Sequence, residues 1–188
     1  MIRNAALALL LAGLSGISAA RAEEALAPVE ARVPFAPTAF TGSDGRTHLA
    51  YELHVTNFYG DSGALAPQGL DVFGDDAATP LLALDAKQLS QVVKPAPAAQ
   101  EPVAILPGKR AVFFVWLTLP AGASVPHRLH HRIQFTADTH ANSVLDGAPV
   151  DVGDAKPMVI GAPLRGGRWL AHEGPGAAQS HHWGSLVA

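Results

Sequence analysis

Two stretches of strict alternation, one run apolar on both faces, and turn chemistry between them predict an all-β chain: an immunoglobulin-like antiparallel β-sandwich with an irregular, Gly-rich C-terminal tail. In the first stretch Leu49, Tyr51, Leu53 and Val55 fall on one side of an extended backbone, and His48, Ala50, Glu52, His54 and Thr56 on the other. In the second, Leu129, His131, Ile133 and Phe135 oppose Arg128, His130, Arg132, Gln134 and Thr136. Period two is the signature of a half-buried strand. Residues 110–119 are apolar on both faces, which predicts a central strand covered on both sides. The 18 Gly and 15 Pro supply the turns. The Cys and Trp hallmarks of antibody domains are missing, so the expectation concerns architecture alone.

The elements follow in order. Residues 1–22 read as a cleavable export signal: Arg3 is the positive end, residues 5–14 are almost wholly apolar, and Ala20-Arg21-Ala22 gives a small-x-small cleavage site. An apolar run of about ten residues is half what spans a bilayer, which weighs against the alternative of an uncleaved anchor. Residues 23–44, with Pro28, Pro34 and Pro37, read as an Ala/Pro-rich leader, extended or loose. The sandwich is expected over 45–162. Its first strand, 47–58, follows the turn Ser43-Asp44-Gly45-Arg46. Short strands follow at 70–73 and 81–84, then about two turns of helix over 85–92 with Asp85 as N-cap. A Pro/Ala loop covers 95–102. The 110–119 strand comes next, then 125–137, then weak pieces at 144–145 and 150–152 around the turn Asp146-Gly147, and a last strand at 158–160. After Pro163 strand periodicity disappears, and residues 163–188 form a tail rich in Gly, His and Trp.

Charge and cysteine narrow the function. Removing 22 of 188 residues leaves 166, and losing Arg3 and Arg21 from 13 basic residues leaves 11 against 16 acidic, a net charge of −5 with His neutral. Such a chain lacks the electrostatic footprint of a nucleic-acid partner, and after cleavage it has no further apolar segment or basic cluster to hold it to a membrane. Cys is absent, so the fold stands without disulfides and has neither a thiol nucleophile nor a lipid-bearing Cys after the signal.

Nine His raise the question of metal. The clusters are His127-x-x-His130-His131 and His181-His182, which makes His127, His131, His181 and His182 the candidate ligands. On one strand His127 and His131 would stand about 13 Å apart by the rise per residue, too far to share an ion without ligands from elsewhere, His48 or His54 for example. The bland alternative is a set of sheet-face histidines, since a tetrahedral site needs three or four ligands. No His-Glu-x-x-His helix exists, because Gly174-Pro175-Gly176 follows His172-Glu173. No Gly-x-Ser-x-Gly elbow exists, and the glycine pairs lack phosphate-loop spacing. Trp169 and Trp183 read as packing anchors. The residues themselves predict no cofactor.

The tail carries a resemblance. Pro163-Leu164-Arg165-Gly166-Gly167-Arg168-Trp169-Leu170-Ala171, followed by Gly174-Pro175 and Ser180-His181-His182, resembles a junction segment of bacterial lysostaphin-type (LytM-like) peptidoglycan metallopeptidases. The strand texts at 51–58 and 112–119 are also similar to the β-rich module that precedes that junction. The junction residues are Arg165, Gly166, Gly167, Trp169, Gly174, Pro175 and His181. The family holds zinc through His-x-x-x-Asp and His-x-His, and neither occurs here, so no catalytic residue carries over. The resemblance implies a non-enzymatic, periplasmic or secreted front module that positions or shields a catalytic domain absent from this chain. Its partners would be a peptidase domain or a cell-wall protein. A gene that has lost its peptidase domain would look the same. The alternative function is a small periplasmic metal-binding protein using clustered histidines.

Overall fold

A computed structural model describes residues 25–94, 102–137, 142–156 and 158–170. The expected export signal, most of the Pro/Ala loop, and Gly174, Pro175, His181 and His182 lie outside the described residues. The elements are β1 (Ala25–Leu26), β2 (Val29–Arg32), β3 (Phe40–Thr41), β4 (Thr47–Asn57), β5 (Leu65–Gly74), β6 (Leu82–Asp85), α1 (Ala86–Val92), β7 (Val93–Lys94), β8 (Arg110–Thr118), β9 (Arg128–Ala137) and β10 (Ser143–Asp151). They build two sheets. One runs β1-β10-β9-β5-β6; the other runs β2-β4-β8-β7, with β3 also paired to β4.

The alternating stretches become β4 and β9, one in each sheet, and both turn the expected face inward. Leu49, Leu53 and Val55 from β4 meet Leu129, Ile133 and Phe135 from β9 in one buried cluster, joined by Phe113, Val115 and Leu117 of β8 and by Leu65, Leu70 and Val72 of β5. Each large side chain so buried contributes about 1.5–3 kcal/mol relative to exposure. A short helix, α1, carries the chain from β6 in one sheet to β7 in the other. Asp85 caps it as expected: its carboxylate accepts from the Gln88 N–H at 2.8 Å, and the Gln88 side chain accepts from the Asp85 N–H at 2.9 Å. Leu89 is its buried anchor.

Several expectations need correction. Of the two states expected of the leader, its described residues take the extended one, and they belong to the sandwich itself. Its β1 pairs with β10, its β2 with β4 and its β3 with β4, and Ala27, Val29, Ala31, Val33 and Ala39 pack on the core. Because β1 runs parallel to β10, the sheets are not purely antiparallel. β5 begins at Leu65, five residues before the expected strand. Pro67 and a register shift between Pro67 and Gly69 hide its alternation, since a strand accepts Pro at such irregularities. The two weak pieces near Asp146 are one strand, β10, broken by a bulge between Gly147 and Val150. Residues 158–160 form no strand and are exposed. β8 is central, between β4 and β7, but its outer face is only partly covered: Val112 is buried, whereas Trp116 is 57% exposed.

Among the described residues no helix is long and apolar enough to cross a membrane. Arg128 and Arg132, the nearest approach to a basic cluster, lie within 3.6 Å of Asp151 and 3.0 Å of Asp146 respectively.

Candidate functional site

A polar and aromatic arrangement lies on the outer face of the second sheet, where β3, β4 and β8 meet. Its foundation is the turn between β3 and β4. Asp44 accepts the Arg46 N–H at 3.0 Å through Oδ1, and Gly45 takes the left-handed conformation at φ 74° that glycine tolerates best. The turn thereby aims Asp44 back over β4, where Oδ1 also meets His48 Nε2 at 2.9 Å. Gly42 leaves room for this contact. A Cβ there would stand 2.7 Å from Asp44 Oδ1 and 2.8 Å from His48 Nε2.

β4 and β8 then bring in the rest. Their register pairs His48 with Thr118 and Ala50 with Trp116. Thr118 Oγ1 lies 3.0 Å from His48 Nδ1, and the Trp116 indole N–H donates to the same Nδ1 at 3.1 Å. An indole N–H can only donate, so Nδ1 carries the lone pair and Nε2 carries the proton that goes to Asp44. The Phe40 ring meets Trp116 edge-on with centroids 5.5 Å apart, and His48 at 5.6 Å. His48 is buried while Trp116 keeps most of its ring in solvent. The hydrogen bond from His48, followed by the Arg46 N–H, holds the Asp44 carboxyl below the usual range.

A hydroxyl, an imidazole and a carboxylate in line are the parts of an activated nucleophile. Here the Trp116 N–H occupies the lone pair that would take the Thr118 proton, so the imidazole is capped as a base. The arrangement fixes the orientation of an exposed indole.

The residues named from sequence go to different places. His131 lies in the core between the sheets. Its Nδ1–H donates to the Ala148 carbonyl at 2.9 Å, and its Nε2 accepts from Tyr51 OH at 2.8 Å. Burial pulls its pKa down to about 4 and pushes that of Tyr51 up. With both ring nitrogens engaged, His131 offers a metal no lone pair. His127 is exposed in the approach to β9, where its backbone N–H donates to Asp75. His130 stacks on Phe73 with centroids 4.9 Å apart. His54 meets Glu52 at 2.8 Å through Nε2, and its buried Nδ1 has no partner among the described residues. The described residues contain no group of three His, Asp or Glu side chains able to hold a metal ion.

In the junction segment, Arg165, Gly166, Gly167 and Trp169 are exposed. Gly166 and Gly167 take φ of 67° and 72°, and the Trp169 indole N–H donates to the Gly166 carbonyl at 2.6 Å. Trp169 is 63% exposed, so it is not the packing anchor expected, and Trp183 lies outside the described residues. Sequence reasoning missed the Asp44–His48–Trp116 arrangement. The local signal was an Asp in a turn four residues before a strand-face His; Trp116 sat unmarked in an apolar run.

Compared with protein-family models, curated proteins and solved structures, the chain matches none.

Proposed function

We infer that this chain is an exported, non-catalytic module with an immunoglobulin-like strand arrangement, and that it positions or shields the catalytic domain of a lysostaphin-type metallopeptidase-like protein. The observation that carries the reading is the segment after β10. Every described residue from 158 to 170 is exposed, and Met158, Val159 and Ile160 are 87%, 94% and 79% exposed. Three adjacent apolar side chains with no cover on their own domain form a surface made for another body. Burying them would contribute several kcal/mol, at about 1.5–3 kcal/mol each. The partner is a peptidase domain or a cell-wall protein.

Strand order supports the architectural half. β2-β4-β8-β7 follows the A-B-E-D order of an immunoglobulin sheet, and β10-β9-β5-β6 follows G-F-C-C′. The 163–170 text supports the family half, together with the export signal at 1–22.

The test has two parts. The coding sequence beyond residue 188 is read for His-x-x-x-Asp and His-x-His. A photo-crosslinking residue is then placed at Val159 in the protein expressed from its own gene. Zinc motifs downstream, and crosslinks from Val159 into that domain or a cell-wall protein, are the expected result. A downstream sequence without those motifs, together with a Val159 that links to nothing but solvent, would sink the reading.

A further inference from the structure

We propose that His48 is a proton-operated latch on Trp116: neutral His48 holds the exposed indole in one orientation, and protonation of His48 releases it. The argument rests on which groups can reverse a hydrogen bond. Neutral His48 gives its Nε2–H to Asp44 at 2.9 Å and accepts the Trp116 N–H at Nδ1, 3.1 Å away. A second proton has one place to go, Nδ1. The Nδ1–H then points at two former neighbours of different chemistry. Thr118 Oγ1, at 3.0 Å, is both donor and acceptor; its hydroxyl rotates and accepts. Trp116 has only an N–H, so a donor then faces a donor, and the contact becomes repulsive.

The two sides of the imidazole thus respond oppositely. Asp44 binds the imidazolium more tightly than the imidazole, since a charged donor on a carboxylate is the stronger bond. Thr118 finds the Nδ1 lone pair taken by the indole while His48 is neutral, and its hydroxyl oxygen becomes the acceptor once Nδ1 carries a proton. Trp116 alone loses its hydrogen-bond partner, and it is the member that can move, because it is 57% exposed and held otherwise by edge packing on Phe40 and a tilted ring contact with His48 at 5.2 Å between centroids. The charged groups around His48 are Asp44 and Arg46. The Arg46 backbone N–H is committed to Asp44, and its guanidinium reaches the Leu119 carbonyl at 3.5 Å. Among the described residues, the β3 and β8 side chains in contact with the ring, Phe40, Trp116 and Thr118, are uncharged. Release frees the indole face and its N–H together, which changes what the outer face of the second sheet offers a partner when His48 is protonated. The latch does not depend on the peptidase reading.

The test follows His48 and Trp116 together by NMR in the full chain from pH 4 to 9. The His48 ring nitrogens and the Trp116 indole N–H should titrate with one shared midpoint. By linkage, Trp116→Phe should raise the His48 midpoint by about half to one pH unit, the equivalent of one net hydrogen bond that only the neutral ring accepts. Asp44→Asn should lower it. Trp116→Phe alters a largely exposed residue, so it remains informative if His48→Gln fails to fold. An indole signal that stays flat while His48 titrates would overturn the latch. So would a His48 that takes no proton above pH 4, or a midpoint that is unmoved or lowered in Trp116→Phe.

Discussion

Tyr51 of β4 donates its hydroxyl to His131 Nε2 of β9 at 2.8 Å, a hydrogen bond that crosses from one sheet to the other inside the core. The rings meet edge-on with centroids 5.6 Å apart. The far nitrogen of His131 donates to the Ala148 carbonyl in the bulge of β10. One imidazole therefore ties together β4, β9 and the irregular part of β10, with every polar atom in the chain of contacts satisfied.

Removing both members should cost less than the two single losses added together. Tyr51→Phe leaves His131 Nε2 buried without a donor and should destabilise by about 1–3 kcal/mol. His131→Leu strands the Tyr51 hydroxyl and the Ala148 carbonyl, with a similar or larger loss. The double variant should be less destabilised than the two single losses added together, because neither polar group remains to be left unpaired. Urea unfolding of the four proteins measures this; strict additivity would show that the pair is uncoupled.

The same histidine makes stability depend on pH. Its folded pKa of about 4 lies below the unfolded value of 6.5, so between those limits the unfolded chain binds the extra proton. Stability from this group is fully present above pH 6.5 and is lost as pH falls toward 4, by on the order of 3 kcal/mol in total. Thermal melts at pH 7 and pH 4.5, compared with the Tyr51→Phe/His131→Leu double variant, should show the acid loss reduced in the variant.

Ala148 sits at φ 48°, a conformation that costs a residue bearing Cβ about 1–2 kcal/mol. Ala148→Gly should therefore raise stability by about half to one kcal/mol, net of the greater entropy glycine loses on folding. A lowered melting temperature would show that the Ala148 methyl, which packs against the core, outweighs the strain.

Asp75 has φ 50° and accepts the backbone N–H groups of His127 and Arg128 at 2.9 and 3.0 Å through one oxygen. It clamps the end of β5 to the start of β9. Asp75→Ala loses both bonds and places Ala at an unfavourable φ, and should cost about 1–3 kcal/mol. Asp75→Asn retains an acceptor oxygen and tolerates the backbone better, so its loss should be smaller. Equal losses in chemical denaturation would contradict the clamp.

Legibility in the sequence followed the range of the interaction. Alternation in β4 and β9 gave the inward faces correctly, down to His131 lying beside Leu129 and Ile133. The Asp85 cap was readable because its partner, Gln88, is three residues away. The leader strands were unreadable because their partners, β4 and β10, lie far along the chain and three prolines disguise them. β10 looked like two fragments because a non-glycine residue adopts a positive φ at its centre. The His48 site joins residues 70 positions apart; its Asp44 was seen as a turn residue, and only the register of β4 on β8 reveals that the same carboxylate meets an imidazole.

The pairing of β1 with β10 joins Ala25 to Ser143 and Leu26 to Val144. Synthesis proceeds from the amino end, so among the described strands the one made first must wait for the one made last. Until residue 144 has emerged, β1 has no partner and the sheet that holds β9 and β5 lacks its outer neighbour. Pairings so distant in sequence form late and slowly, after loop closure over nearly the whole domain. The nascent chain consequently spends its synthesis time incomplete, with the first sheet open along one margin, and its final closure is an event that the two ends of the domain carry out together.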